Sequence, residues 1–238
     1  MAQQQTPKSK PAEGLPLAPA LEEGGPSVIA FYSDKPGKKF REFSNFFSDA
    51  PAFRFQLPAF ARSEGFPESV HCEFAEKAIM ATKAALMKDE EAFAEIEATK
   101  EPKSCKALGR SIRNFDQALW DSHLEDIAFE VVKQKFEADP ELRAVLLSTG
   151  NATLVEAAPH DCIWGVGMGA TDEGILDPTQ WRGRNVLGCA LVRARTAIRA
   201  DAEGRQAQSS DRERQEAAQI PAAVLHSKPP VAEAPERV

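Results

Sequence analysis

The segment "ELRAVLLSTGNATLVEAAPHDCIWGVGM" (residues 141–168) combines three kinds of local structure in a short stretch. Its first part predicts one or two helical turns, which the "TGN" sequence at 149–151 ends. The next residues, "ATLVEA" (152–157), alternate as a strand should. The glycine-rich loop from residue 158 fits neither pattern. A strand between helices and such a loop predicts a fold that mixes helices with strands.

Most of the remaining patterns are helical. Apolar residues at helical spacing and capping residues predict further helices at 66–88 with Ser69 as N-cap, 89–99, 102–112, 122–136 with a Ser122–Glu125 capping box, and 185–200 with Asn185 as N-cap. A first strand is predicted at 27–33, and a loop with a short strand at 41–56. Because strands and helices do not alternate regularly, the predicted class is α+β, a helix-dominated single domain with a small β-sheet.

The aromatic residues indicate the ordered part of the chain. All 14 Phe, 3 Trp and 1 Tyr lie between Phe31 and Trp181. The two ends are instead rich in Ala, Gln, Glu, Ser and Pro, and bury too little apolar surface to offset the entropy lost on ordering. We therefore predict a disordered N-terminal tail (1–26), a domain (27–200) and a disordered C-terminal tail (201–238).

Charge and cysteine content exclude several classes of protein. The formal net charge of −7 argues against a general binder of nucleic-acid backbones, which favour broad positive surfaces. The four cysteines form no CxxC motif and no disulfide-dense pattern. No signal peptide and no apolar run of membrane-spanning length is visible. We expect a reduced, soluble, cytoplasmic protein with no membrane partner.

Two familiar site motifs are incomplete. The H-x-E sequence at 71–73 begins a zinc deaminase signature, but "PKSC" (102–105) has a lysine where the first cysteine ligand is needed. The G-x-G-x-G sequence at 165–169 lacks both the spacing and the strand–loop–helix context of a nucleotide fingerprint. We therefore predict no metal site and no cofactor.

Two loops together predict a ligand site. The segment "HDCIWGVGM" (160–168) supplies the carboxylate of Asp161 and the indole of Trp164 between glycines. Indole rings stack on planar bases and on sugar faces. The segment "WRGRNVLG" (181–188) leads into the last helix and carries the side chains of Arg182, Arg184 and Asn185. The N-terminus of a helix with nearby guanidinium groups is a favourable place for anions. A carboxylate, a stacking platform and an anion site suit a phosphorylated ribose that carries a base.

The two informative side chains of the first loop also have a structural explanation. Trp164 could belong to the core, and Asp161 could cap a turn, as loop residues of this kind often do. From composition alone, both interpretations stay open.

The same segments resemble the NADAR family (formerly DUF1768, the YbiA-like proteins). The resemblance spans about residues 28–196 and is carried, in order, by "FYS" (31–33), "FSNFF" (43–47), "SVHCEFAEKA" (69–78), "PKSCKALGRSI" (102–112), "VVKQKFEADPELRAVLLSTGNATLVEAAPHDCIWGVG" (131–167) and "GRNVLGCALVRAR" (183–195). The combined string is highly specific. It implies that residues 27–200 form a YbiA-like domain.

The resemblance implies an N-glycosidase that cuts the bond between C1 of a ribose and a nitrogen. Implied substrates are phosphoribosyl or ADP-ribosyl compounds, such as early intermediates of riboflavin synthesis or ADP-ribosylated guanine. Because the transition state resembles an oxocarbenium ion, a nearby carboxylate stabilises it, and Asp161 is the first candidate. Substrate contacts are expected from Trp164, Gly165, Gly167, Arg184, Asn185, Asn45, Lys77 and Glu156.

One departure from the family pattern affects the catalytic assignment. The family's first long helix usually begins with S-x-E-H or S-V-E-H, whose glutamate is associated with catalysis. Here the sequence is "SVHCE" (69–73), so the glutamate position holds Val70 or His71. Glu73 and His71 are the candidate replacements. Glu73 has a structural alternative as well, an i, i+4 ion pair with Lys77.

Two functions are therefore carried forward. The first is a cofactor-free N-glycosidase acting on a small ribosyl substrate, with nucleic acid a partner only when ADP-ribosylated. The second is a non-catalytic module that binds ADP-ribose or a nucleotide in a degenerate site. The enzyme is favoured if His71 or Glu73 faces the same cleft as Asp161 and Trp164. No oligomeric state is predicted.

Overall fold

The computed structural model describes residues 27–218, which form four strands and six α-helices. In chain order these are β1 (Val28–Phe31), β2 (Phe53–Gln56), β3 (Ser69–Cys72), α1 (Ala75–Leu86), α2 (Glu90–Ala98), α3 (Pro102–Arg110), α4 (Gln117–Ala138), α5 (Pro140–Leu147), β4 (Thr153–Glu156) and α6 (Val186–Ala218). The predicted helix-dominated α+β class is confirmed. The N-terminal tail predicted at 1–26 lies outside the described residues.

The strands form two separate pairs. β1 runs parallel to β4, with Phe31 opposite Glu156. β2 runs antiparallel to β3, with Phe53 opposite Cys72. Because β1 and β4 are parallel, both end at the same edge, and the segments that leave them begin side by side. This edge positions the candidate site.

Helix α1 lies in the middle of the core. Ten of its 12 residues are buried, and it packs against α2, α3 and α4. A helix that is buried on all sides cannot leave a polar side chain unpartnered without a free-energy cost. Glu76 and Lys77, both buried on α1, therefore need either partners or a function.

The helix predicted from residue 66 is wrong in its first part, because residues 69–72 form β3 and α1 begins only at Ala75. Val70 and Cys72 are buried while His71 is exposed, which is the two-residue period of a strand. Phe74 keeps an extended backbone, with φ −152° and ψ 154°, immediately before the helix. Ser69 caps nothing and instead accepts a hydrogen bond from Arg54 at 2.9 Å.

Helix α4 also begins elsewhere than predicted. It starts at Gln117, where the Asp116 side chain accepts a hydrogen bond from the Leu119 N–H. The predicted cap, Ser122, lies inside the helix and donates its hydroxyl to Leu119 O. Asp116 is the N-cap instead of Ser122 because it lies directly before the first helical turn.

The chain divides into two compact units, residues 1–195 and 196–238. The first contains all four strands, α1 to α5 and the start of α6. The described part of the second is the rest of α6, which continues beyond residue 200 to Ala218. The disordered tail predicted from residue 201 therefore differs from the structure as far as Ala218, and the segment is rich in helix-forming Ala, Glu, Gln and Arg. Residues 219–238 lie outside the described part.

A membrane-crossing helix would have to be both long and strongly apolar. None of the helices within residues 27–218 meets both conditions.

Candidate active site

The C-terminal end of β4 forms the base of the candidate site. Glu156, its last residue, accepts a hydrogen bond at its carbonyl from the Val166 N–H at 3.0 Å. The Ala157 N–H donates to Phe31 O at 2.9 Å and thereby continues the pairing with β1. The chain thus leaves β4, loops out and returns to the same strand end. The carboxyl ends of parallel strands are a common place for ligands.

The loop after β4 is shaped by Asp161. Its Oδ1 accepts hydrogen bonds from the Ile163 N–H at 2.9 Å and the Trp164 N–H at 2.8 Å. Asp161 therefore caps a turn, as the structural interpretation predicted. The half-buried Trp164 is held from a second side by α6, because its carbonyl accepts a hydrogen bond from the Leu187 N–H at 3.1 Å.

Gly165 and Gly167 allow this loop to pack tightly, and their predicted substrate contacts stay predictions. A Cβ on Gly165 would lie 2.8 Å from Glu156 O, closer than real Cβ atoms come. Gly167 has a φ of +67°, which L-residues rarely adopt, and its N–H donates to Asp161 O at 3.0 Å. The two glycines bring the Asp161 turn close to the end of β4.

Asn185 is buried at the start of α6 and fixes β4. Its Oδ1 accepts a hydrogen bond from the Glu156 N–H at 3.0 Å, and its Nδ2 donates to Leu154 O at 2.9 Å. Its φ is +54°, a value that Asn tolerates better than most residues. Both polar groups of the Asn185 side chain are hydrogen-bonded to β4, which gives the residue a positioning role; its predicted substrate contact stays a prediction.

Glu76 is the buried carboxyl that faces this loop from α1. It is 5% exposed, and its N–H donates to Asn45 O at 2.9 Å. Burial raises its pKa to about 7; the positive charge of Lys106 opposes this rise, and the negative charge of Asp161 adds to it. The charge of Asp161 thus reaches Glu76, although the two residues are 85 positions apart in the sequence.

Glu156 is the second carboxyl with a raised pKa. Burial, together with the negative charges of Asp161 and Glu76, raises the pKa to about 7 against the opposing positive charge of Lys106. Its Oε2 is buried and has no hydrogen-bond partner within residues 27–218. Three carboxyl groups from α1, β4 and the following loop thus converge: Glu76, Glu156 and Asp161.

Two cations on α3 lie beside these carboxyls. Lys106 and Arg110 are one helical turn apart, and both positive charges act on Glu76. In the described part of the chain neither forms an ion pair within 4 Å. The Lys106 ammonium lies 5.6 Å from the centre of the Phe46 ring. This arrangement can receive an anion next to the carboxyl groups.

Glu73, the predicted catalytic replacement, belongs to a different cluster. Its carboxylate binds Lys77 Nζ at 2.5 Å and also pairs with Lys100. Despite partial burial, these hydrogen bonds lower its pKa to about 2. Lys77 is buried, and its ammonium also donates to Glu97 O at 3.2 Å. Glu73 and Lys77 thus form the structural ion pair that was the alternative prediction.

The other predicted site residues are dispersed. His71 is exposed on β3, opposite Arg54. Arg184 is bound to the exposed Glu125 at 3.1 Å, so its guanidinium does not join the carboxyl cluster. Asn45 contributes through its backbone, because its carbonyl accepts the Glu76 N–H. The sequence therefore located Asp161, Trp164 and Glu156 in one region, but not their partners.

Sequence reasoning missed Glu76, Lys106 and Arg110. The available signal was "FAEKAIMA" (74–81), in which a glutamate stands among small and apolar residues of a helix. A carboxyl in such a helix is buried and needs an explanation. Because the helix was predicted to begin at residue 66, the candidate carboxyl was sought among residues 69–73, which include β3, and not on α1.

In residues 27–218 no metal cluster coincides with this site, and a separate cavity lies away from it. Within residues 27–218, no group of three or more His, Cys, Asp and Glu side chains could hold a metal ion. A cavity of about 510 Å³ lies elsewhere, between the end of β2 and α4, and its lining includes Phe60, Phe129 and Arg193.

Comparison with known proteins identifies relatives over most of the chain. N-glycosidase R617 of Acanthamoeba polyphaga mimivirus is 38% identical over 143 residues, which cover 60% of this chain and 82% of that protein. The riboflavin biosynthesis protein PYRR of Zea mays is 35% identical over 108 residues, which are only 16% of that protein. N-glycosidase YbiA of Escherichia coli is 28% identical over 172 residues, or 72% of this chain and 89% of that protein.

A solved structure supports the fold. The NMR structure of E. coli YbiA covers 78% of this chain and 92% of its own, with a TM-score of 0.56 and 24% identity. The names of the relatives confirm the predicted enzyme class, hydrolases of N-glycosyl bonds. A family model described as the NADAR domain matches residues 30–199. The chain therefore belongs to the NADAR family.

Proposed function

We propose that this protein is an N-glycosidase that hydrolyses the bond between C1 of a ribose and a nitrogen of its base. The observation that carries the proposal is the cluster of Glu76, Glu156 and Asp161, in which burial raises two pKa values to about 7. Carboxyl groups with such pKa values exchange protons near neutral pH. The activity named for several relatives supports the same chemistry.

Glu156 is the proposed general acid. The carboxylates of Asp161 and Glu76 lie near it and favour its protonated form, and its Oε2 is free of other partners in the described chain. As the C1–N bond breaks, its electron pair passes to the nitrogen, which takes the proton of Glu156. The base then leaves in neutral form.

Glu76 is the proposed general base. The cations Lys106, Arg110 and Lys83 lie near it and favour its ionised form. Ionised Glu76 takes a proton from water, whose oxygen forms the new bond to C1. The carboxylate of Asp161 stabilises the positive charge that develops on the ribose ring, while its Oδ1 keeps the turn closed.

The proposed substrate is anionic. Lys106 and Arg110 form no ion pair in the described chain and replace Arg184 and Asn185 as the proposed phosphate contacts. The half-buried rings of Trp164 and Phe46 are the proposed stacking surfaces for base or sugar. This favours phosphoribosyl or ADP-ribosyl compounds, with nucleic acid only as an ADP-ribosylated substrate. Four free cysteines support a cytoplasmic setting.

The test is base release from a panel of ribosyl compounds. Purified protein is incubated with phosphoribosylated pyrimidines, with ADP-ribosylated guanosine and with their dephosphorylated forms, and free base is measured by chromatography. We expect release from at least one phosphorylated compound. Tight binding without release of any base would instead support the non-catalytic module.

A further inference from the structure

Lys135 is a buried lysine that the proposed chemistry does not use. It lies on α4 and is 4% exposed. Its ammonium donates to Glu42 O at 2.6 Å and to Ser44 O at 3.1 Å. No carboxylate within residues 27–218 pairs with it at salt-bridge distance.

The surroundings of Lys135 make its burial costly. The rings of Phe47 and Phe136 lie 5.5 Å and 5.3 Å from its ammonium. Burial lowers its pKa to about 7, and the nearby charge of Glu42 only partly opposes this. An apolar residue of similar length would avoid the desolvation cost. Unlike an apolar residue, the lysine can donate hydrogen bonds to the carbonyls of Glu42 and Ser44.

The loop held by Lys135 leads directly to the candidate site. One residue after Ser44, the Asn45 carbonyl accepts the N–H of Glu76 at 2.9 Å. The next residue, Phe46, places its ring 5.6 Å from the Lys106 ammonium. Residues 42–46 therefore connect Lys135 on one side with Glu76 and Lys106 on the other.

We propose that Lys135 is a positioning residue for the active site: by binding the carbonyls of Glu42 and Ser44, it fixes loop 42–46 so that Asn45 holds the first turn of α1 and the Glu76 carboxyl. The catalytic part of this inference rests on the proposed function. The mechanical part, the link between Lys135 and the Glu76 amide, does not.

The test compares Lys135→Met with Lys133→Met on the same helix. Lys133 pairs with Glu137 near the surface, so its removal controls for the loss of a lysine from α4. The amide hydrogen-exchange rates of the folded variants are measured by mass spectrometry on peptides that cover loop 42–46 and the first turn of α1. For folded Lys135→Met we expect exchange at least tenfold faster in these two segments, with the remaining helices nearly unchanged. Lys133→Met should match the wild type.

Turnover supplies the second readout, provided that the panel above yields a substrate. Lys135→Met is expected to lower kcat at least tenfold because Glu76 is misplaced, and to raise KM as well because the Phe46 ring belongs to the loosened loop. Wild-type exchange together with wild-type kcat would overturn the proposal. So would faster exchange spread evenly over all helices, since that indicates only a general loss of stability.

A variant that fails to fold leaves a measurement on the wild type. In graded urea, the amides of Phe47, which donates to Ser44 O, and Glu76 should open with the same free energy. Separate openings would contradict the link. If no compound is hydrolysed, the exchange data still decide the mechanical part, so the two proposals can fail independently.

Discussion

Asn185 and Glu156 are joined by a hydrogen bond of 3.0 Å from the Glu156 N–H to the Asn185 Oδ1. Together with the bond from Asn185 Nδ2 to Leu154 O, it fixes the last residues of β4 to the start of α6. Asn185 therefore supports the strand end that carries Glu156, the proposed general acid. Gly188 makes this contact possible, since a Cβ there would lie 2.1 Å from Leu154 O.

Asn185→Gly should weaken this support without straining the backbone. Glycine accepts the positive φ of Asn185 but loses both side-chain hydrogen bonds. Because buried backbone groups at Leu154 and Glu156 lose their partners, the free energy of unfolding should fall by about 1–3 kcal/mol. Urea unfolding measures this change, and a variant as stable as the wild type would contradict the positioning role.

The raised pKa values of Glu76 and Glu156 predict how stability depends on pH. Between pH 4.5, the ordinary pKa of a glutamate side chain, and about pH 7, the folded state binds more protons than the unfolded state. The stability that comes from the neutral carboxyls is therefore fully present below pH 4.5 and is lost as the pH rises through 7.

Urea unfolding at several pH values between 4.5 and 8 checks this dependence. Glu76→Gln carries no titrating group at this position, so its stability should fall less than that of the wild type over the same range. Parallel curves for the two proteins would show that Glu76 titrates normally.

Glu73 is expected to contribute to stability and not to catalysis. Glu73→Gln weakens the partner of the buried Lys77, so we expect a loss of roughly 2 kcal/mol in the free energy of unfolding. Its pKa is lowered to about 2, so its contribution is present above pH 4.5 and is lost as the pH falls through 2. A folded Glu73→Gln protein should keep kcat within about threefold of the wild type. A hundredfold loss in kcat would instead indicate that Glu73 takes part in catalysis.

Lys106→Met should separate phosphate binding from chemistry. We expect KM for a phosphorylated substrate to rise by about ten- to a hundredfold, because one charge-assisted contact is lost. KM for the dephosphorylated compound should stay within about threefold. The acidic limb of the pH profile should also move to higher pH, since the positive charge of Lys106 lowers the pKa of Glu76. Equal losses for both compounds would exclude a phosphate contact.

The sequence was most informative where local rules act alone. Asp161 could be recognised as a loop carboxylate next to Trp164, and the helices at 89–99 and 102–112 follow from capping and periodicity. The ion pair of Arg184 could not be predicted from local sequence, because its partner Glu125 lies 59 positions away on α4. Residues 69–73 were misread as helix because pairing with β2, a tertiary contact, decides their conformation.

The role of Glu76 depends on surroundings that no local pattern contains. Its pKa is set by burial on α1, by two cations on α3 and by a carboxylate in the loop after β4. Only the fold brings these segments together. The family resemblance predicted the chemistry, but it directed attention to His71, which lies on strand β3, five residues before the buried Glu76 on α1.

The most direct measurement compares base release by wild-type protein and by Glu76→Gln, with Glu73→Gln as the matched control. Single-turnover rates are measured with the phosphorylated compound that the wild type hydrolyses best, and circular dichroism verifies that each variant is folded. We expect Glu76→Gln to lose at least a hundredfold in rate while Glu73→Gln stays near the wild type. A folded Glu76→Gln protein that releases base at the wild-type rate would contradict the account.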